Sequence, residues 1–128
     1  MTGPRLIVSG SRHWTDLGAM VDGLVAAWRY LGKPNRPILV HGDCRGADRM
    51  AAQLWQLWGW PVEPHPADWT RYGNSAGPRR NAEMVEAGAD LVQAFPLPGS
   101  AGTWDLVTKA RAAGLPVRIT DPGQEAAA

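Results

Sequence analysis

The segment RLIVSGSRHWTDLGAMVDGLVAAWRYLG, residues 5–32, decides the fold. It begins with a short apolar run, residues 5–10, that ends in small residues and predicts a buried β-strand. From Leu17 onward, apolar side chains recur every three or four positions, which predicts an amphipathic α-helix. A strand followed directly by a helix is the repeating unit of a parallel sheet.

The same alternation continues along the chain. Further strands are predicted in PILVHG, WPVEPH, ADLVQAF and LPVRIT, and further helices in GADRMAAQLWQLWG, PRRNAEMVEAG and TWDLVTKARAAG. Leu17 is expected on the buried stripe of the first helix, and Leu57 and Trp58 on that of the second. Strands without polar alternation are typical of a parallel sheet covered on both faces. The sequence therefore predicts one doubly wound, five-stranded Rossmann-like α/β domain over residues 1–120 and a flexible C-terminal tail at residues 121–128.

The composition restricts the classes of function. A chain of 128 residues with 45% hydrophobic and 20% charged residues suits a single globular domain. No apolar run is long enough to cross a bilayer and no leader is visible, so we expect a cytoplasmic protein without a membrane partner. Cys44 is the single cysteine, and the three histidines share no spacing, which argues against a metal site. We expect no cofactor, and a net charge of +1 argues against a nucleic-acid partner.

Three glycine-bearing loops are expected at one edge of the sheet, because right-handed crossovers gather every strand-to-helix loop at the carboxyl ends of the strands. Each loop precedes a helix, whose unpaired amides and dipole suit an anion. The alternative is a tight turn that needs glycine, with Thr103 as a helix cap. The candidate phosphate-binding residues are Gly10, Ser11 and Arg12 in the first loop, Gly42, Asp43, Arg45 and Gly46 in the second, and Gly99, Ser100, Ala101, Gly102 and Thr103 in the third.

A long polar segment, HPADWTRYGNSAGPRR, is expected to join these loops as a functional loop. It would bring Arg79 and Arg80 to the same anion pocket. Trp14, Trp69 and Trp104 lie near the functional edge and could stack on a base, with packing as the alternative.

The motifs VSGSRHWTD, HGDCRGADRMA, PADW, AGPRRNAEMV and PGSAGTWDLVTKARAAGLPV together resemble the YspA-like, cpYpsA-related branch of the SLOG superfamily, which is related to the LOG phosphoribohydrolases and the DprA family. The resemblance runs from about Leu6 to Val117. It implies a Rossmann-like fold that binds nucleotides or nucleotide-derived ligands, often as a homodimer.

LOG enzymes carry an R-K-x-x-M element and a P-G-G-x-G-T-x-x-E element, whose Arg and Glu serve the cleavage of the bond between base and ribose phosphate. The resemblance places Arg80 on that Arg and Asn81 on the Lys of the first element, but Leu106 stands where the Glu is expected. Leucine cannot do acid–base chemistry. Asp105 is one residue early, and Asp43 is the other candidate acid.

The sequence thus favours binding of a phosphorylated nucleotide or nucleotide-derived signal, by a sensor or a sequestering protein. A LOG-like N-glycosidic hydrolase of nucleoside monophosphates, with Arg80 and either Asp43 or Asp105, is the alternative. Single-stranded nucleic-acid binding is the weakest of the three hypotheses.

Overall fold

The computed structural model describes residues 3–121 and contains one parallel sheet of five strands in the order β3-β2-β1-β4-β5. The strands are β1 (Arg5–Gly10), β2 (Ile38–His41), β3 (Val62–Pro64), β4 (Leu91–Phe95) and β5 (Val117–Ile119). The helices are α1 (Leu17–Tyr30), α2 (Ala47–Leu57), the single turn α3 (Trp69–Tyr72), α4 (Ala76–Ala87) and α5 (Ala101–Ala112), and Gly73–Ser75 forms a 3₁₀ turn.

Helices cover both faces of this sheet. On one face, side chains of α1 and α2 pack on Leu6 and Val8 of β1. On the other face, α4 and α5 pack on Ile7 of the same strand. Successive residues of β1 thus face the hydrophobic cores on opposite sides of the sheet, which explains why the run is apolar without alternation. The prediction of a doubly wound, five-stranded parallel α/β domain is confirmed. The predicted tail lies outside the described residues except for Asp121.

The buried stripe of α2 differs from the predicted one. Trp55 is fully buried and donates its indole N–H to the carbonyl of Pro37 at 2.8 Å, whereas Leu57 is 80% exposed. Two residues along a helix correspond to about 200° of rotation, so both side chains cannot face the same core. Trp58 is 37% exposed beside Trp55, and Leu17 is 54% exposed at the start of α1.

The long polar segment before α4 is more ordered than predicted. It contains α3, whose first turn is capped by the Asp68 carboxylate, which accepts the Arg71 N–H at 3.1 Å. Helix α4 then begins at Ala76, two residues earlier than predicted. Pro78 lies in its first turn, where a missing N–H costs little. Arg79 and Arg80 lie within this helix, as they do in the predicted helix PRRNAEMVEAG.

Within residues 3–121, no helix combines the length and apolarity needed to cross a lipid bilayer. The same residues contain no cluster of three His, Cys, Asp or Glu side chains that could hold a metal ion.

An ion pair on the α4 side ties the outer strand β3 to the central strand β1. Arg5 donates to both carboxylate oxygens of Glu63 at 3.0 and 2.7 Å, and His65 lies 2.7 Å from the same carboxylate. The hydrogen bonds from Arg5 and His65 lower the pKa of Glu63 to about 2.

We predict that Glu63→Gln lowers the free energy of unfolding by roughly 1 kcal/mol at neutral pH, a small value because both partners are partly exposed. A folded-state pKa below the usual value means that this stabilisation is complete above about pH 4.5 and is lost as the pH falls toward 2. Urea titrations at several pH values should therefore show the two proteins converging on acidification. Glu86→Gln, at an exposed position of α4, is the control and should match the unmodified protein throughout. A difference that stays constant with pH would contradict the prediction.

Candidate functional site

A cleft of about 500 Å³ opens between the loops that follow β1 and β4. These two strands are neighbours in the sheet, and their connections leave in opposite directions, so their loops separate and leave a crevice at the carboxyl edge. Its lining is drawn from the two loops, from α3 and α4, and from the first turns of α2 and α5, and consists of Ser9, Gly10, Ser11, Arg12, His13, Asp48, Trp69, Gly77, Pro78, Asn81, Pro98, Gly99, Ser100, Ala101, Gly102, Thr103 and Asp105.

One wall is the loop before α5 and the first turn of that helix. Gly99 has φ of +83°, a conformation that favours glycine, and turns the chain into the helix. The Ala101 N–H donates to the Gly99 carbonyl at 2.8 Å, whereas the Gly102 and Thr103 N–H groups have no acceptor within the helix and lie at the positive end of its dipole. A Cβ added at Gly102 would meet nothing within 4 Å, so the backbone is open to the cleft at this position. The five residues predicted here all line the cleft.

The predicted cap of α5 is corrected. The helix begins at Ala101, so Thr103 lies inside its first turn and is buried, and Ser100 holds the N-cap position. The Ser100 hydroxyl makes no capping bond and instead accepts the Leu97 N–H at 2.9 Å. No side chain therefore competes with a ligand for the first amides of α5 as a cap.

The opposite wall is the loop after β1. Ser11 is buried, and its hydroxyl accepts the His13 N–H at 3.0 Å, which shapes the turn. Arg12 and His13 are exposed at the mouth of the cleft. The Arg12 guanidinium lies 5.5 Å from the centre of the Trp69 ring, which is 47% exposed. A cation thus lies over one face of a partly exposed aromatic ring on this side of the cleft.

The floor of the cleft holds a buried carboxylate. Asp48, in the first turn of α2, is 4% exposed and accepts the Gly42 N–H at 2.9 Å. Burial raises its pKa to about 6, although Arg80 and the backbone N–H groups around the carboxylate act in the opposite direction. Sequence analysis did not single out Asp48, Gly77 or Pro78 as site residues. The signal in the sequence that could have indicated the buried carboxylate is an acidic residue on the apolar face of α2, beside Ala47.

The second glycine loop lies behind the cleft. Among the described residues, none of Gly42, Asp43, Arg45 and Gly46 belongs to the lining. A Cβ at Gly42 would overlap with the Arg80 guanidinium, and one at Gly46 would meet the Ser11 and Arg12 carbonyl oxygens at 2.5 Å. These glycines permit close packing of the loop instead of close approach to a ligand. Asp43 pairs with Arg49 at 3.4 Å.

Arg80 also differs from its predicted place in the anion pocket. It is 8% exposed, and its guanidinium donates to the Gly42 carbonyl at 2.5 Å, the His65 carbonyl at 3.3 Å and the Asn81 side chain at 3.0 Å. The reason is that position 80 lies one turn before Met84, on the buried face of α4. Its neighbour Arg79 is exposed, 4.4 Å from the Tyr72 ring.

Asp105 and Asn81 meet inside the cleft. The Asn81 amide donates to Asp105 at 3.0 Å and to the Gly102 carbonyl at 3.2 Å, and Lys109 donates to both Asp105 oxygens at 2.7 and 2.6 Å. Partial burial acts to raise the pKa of Asp105, but the bonds from Lys109 and Asn81 outweigh it and hold the pKa below its usual value. Leu106, where the resemblance places the catalytic Glu, is fully buried in the core.

The three tryptophans proposed for base stacking separate into different environments. Trp14 is 2% exposed and packs edge-on against Phe95 at 5.4 Å, so the stacking prediction is corrected to packing. Trp104 is 43% exposed but does not line the cleft. Trp69 alone among them does.

We predict that Arg80→Met lowers the free energy of unfolding by about 2–4 kcal/mol, because it removes the donor from three buried or partly buried acceptors. Arg79→Met is the matched control on the next residue and should change stability by less than about 0.5 kcal/mol. Urea denaturation of both variants measures this. Equal stability of the two would contradict the structural role of Arg80.

Comparison with known proteins gives two matches. A family model described as "YspA, cpYpsA-related SLOG family" matches residues 4–72. The Gene 61 protein of Mycobacterium phage D29 is 40% identical over 122 residues, which cover 88% of this chain and 93% of that protein. No solved structure matches significantly. The chain therefore belongs to the YspA, cpYpsA-related SLOG family.

Proposed function

We propose that the cleft binds a phosphorylated nucleotide or nucleotide-derived ligand without cleaving it, so that the protein acts as a sensor or a sequestering protein. The observation that carries the proposal is the pairing of an open helix N-terminus with an exposed aromatic ring across one cleft. Membership in the SLOG family supports a nucleotide-related ligand.

The phosphate is assigned to the wall formed by residues 99–103. Backbone amides at the start of a 12-residue helix supply hydrogen-bond donors and a positive partial charge. Arg12 adds a full positive charge at the mouth of the cleft. Arg12 is exposed and makes no ion pair with a carboxylate within the described part of the chain, so its guanidinium is free to contact an anion.

The base is assigned to Trp69. Its ring is half exposed and lines the cleft. The buried part of the indole packs against Gly77 of α4, where a Cβ would lie only 3.2 Å from the ring. A volume of about 500 Å³ falls within the range of small-molecule sites. An aromatic face binds any base by stacking, so the cleft itself favours nucleotides as a class.

Cleavage by the LOG-like alternative has less support. Leu106 replaces the glutamate and faces the core. Asp43 lies outside the lining, in an ion pair with Arg49. Asp105 lies in the cleft, but its lowered pKa keeps it deprotonated at neutral pH, so it cannot donate a proton as an acid.

Three further expectations stay predictions. These are a homodimer, a cytoplasmic location and the absence of a nucleic-acid partner. The last follows from a net charge of +1, which gives little overall attraction to a phosphate backbone.

We predict that Gly102→Asp abolishes nucleotide binding while the matched Gly102→Asn retains it. Both side chains fit, because nothing lies within 4 Å of an added Cβ, but only the aspartate puts a negative charge among the first amides of α5. Calorimetry with AMP should give an affinity for Gly102→Asn within a few-fold of the unmodified protein, and a loss of more than roughly 10-fold for Gly102→Asp. Adenosine, which lacks the phosphate, should bind weakly to all three. Equal AMP affinities for the two variants would contradict the assignment of the phosphate to residues 99–103.

We also predict that AMP stays intact. After prolonged incubation with the protein, chromatography should show no free adenine. Adenine that appears with the unmodified protein and disappears with Asp105→Asn would overturn the binding proposal in favour of the hydrolase.

A further inference from the structure

The position of Asp105 restricts which ligand the cleft accepts. Asp105 lies three and four residues after Gly102 and Ala101, on the same face of α5, because residues three and four apart in a helix are neighbours. The carboxylate therefore lies roughly 5 Å along the helix axis from the first amides. The Asn81 amide bridges Gly102 and Asp105 and fixes this arrangement.

A chain of hydrogen bonds holds the carboxylate in one orientation. The Arg80 guanidinium donates to the Asn81 side-chain oxygen, so the amide nitrogen of Asn81 must face Asp105. Lys109 contacts the carboxylate from one turn further along α5 and does not line the cleft. Asn81 is 4% exposed, so the group that orients Asp105 is itself rigidly packed. The Asp105 carboxylate thus has a fixed position in the cleft, unlike a surface side chain that no hydrogen bond orients.

The bonding capacity of the carboxylate leaves a place for a ligand. Two carboxylate oxygens offer about four acceptor sites. Lys109 uses one site on each oxygen, and Asn81 uses a second site on one of them. About a third of the side chain is exposed, and it forms part of the cleft lining. The remaining acceptor site, on an oxygen whose charge Lys109 balances, accepts a hydrogen bond from a neutral donor.

Resting on the proposed nucleotide function, we infer that Asp105 accepts a hydrogen bond from a ribose hydroxyl, so that the ligand is a ribonucleotide and not a deoxyribonucleotide. The sugar is the donor-bearing part of a nucleotide that lies next to the phosphate, and Asp105 is the acceptor next to the phosphate wall. The base is assigned to Trp69, another residue of the cleft lining. Because the pKa of Asp105 is held below its usual value, the acceptor stays charged at neutral pH.

The experiment compares AMP with 2′-deoxy-AMP and 3′-deoxy-AMP by calorimetry at neutral pH, on the unmodified protein and on Asp105→Asn. A hydrogen bond to a charged acceptor corresponds to a loss of roughly 10- to 100-fold when the hydroxyl is removed. We expect at least one deoxy analogue to bind that much more weakly to the unmodified protein. Asp105→Asn should weaken AMP binding and bring the three affinities to within a few-fold of one another.

Asp22→Asn is the control, because Asp22 is an exposed carboxylate on α1 outside the cleft lining, and this variant should discriminate like the unmodified protein. Equal binding of AMP and both deoxy analogues by the unmodified protein would overturn this inference and leave the proposed function standing. A deoxy analogue that still binds Asp105→Asn roughly 10-fold or more weakly than AMP does would also overturn the inference. Failure of all three nucleotides to bind would overturn the proposed function itself.

Discussion

The backbone of Gly42 is held between two buried charges, and the shape of the cleft depends on this clamp of Gly42, Asp48 and Arg80. Its N–H donates to the Asp48 carboxylate, and its carbonyl accepts from the Arg80 guanidinium. A side chain at position 42 would overlap with that guanidinium, so only glycine allows the approach. The clamp joins the first turn of α2 to α4 through the loop that follows β2. Because the two charges are opposite and bond the backbone of the same residue, each compensates part of the desolvation of the other.

The clamp positions both walls of the cleft indirectly. The Ala47 N–H, at the start of α2, donates to the Ser11 carbonyl, so the second loop fixes the first. On the other side, Arg80 sets the orientation of Asn81, and Asn81 contacts α5 at Gly102 and Asp105. One continuous set of hydrogen bonds therefore runs from the loop after β2 across α4 to the first turns of α5. The loop that sequence analysis assigned to the ligand instead supports the residues that line the site.

The fold could be predicted because its signals are local. Apolar runs such as residues 5–10 and the helical spacing that follows Leu17 identify the elements, and the handedness of crossovers places the loops at one edge. The direction of individual side chains could not be predicted, because it depends on helix phase. Position 80 shares the buried face of α4 with Met84 although arginine is usually exposed, and Trp14 is buried because the first loop folds over the core, where it meets Phe95. The glycine of a packing contact and the glycine of a ligand cradle look the same in a sequence.

The clamp also explains why position 48 is an aspartate and not an asparagine. Gly42, Cys44 and Gly10 all direct backbone N–H groups toward this side chain, and a carboxylate has two acceptor oxygens where an amide has one. Burying this charge costs free energy, which the raised pKa of about 6 for Asp48 reflects. A folded-state pKa above the usual 3.8 means that Asp48 favours the folded protein most below that pH, and that this advantage, up to about 3 kcal/mol, is lost as the pH rises through 6. At neutral pH the protein thus carries a buried negative charge that opposes its own stability. That charge forms part of the cleft floor, and the open first turn of α5 lies on a different helix of the same cleft.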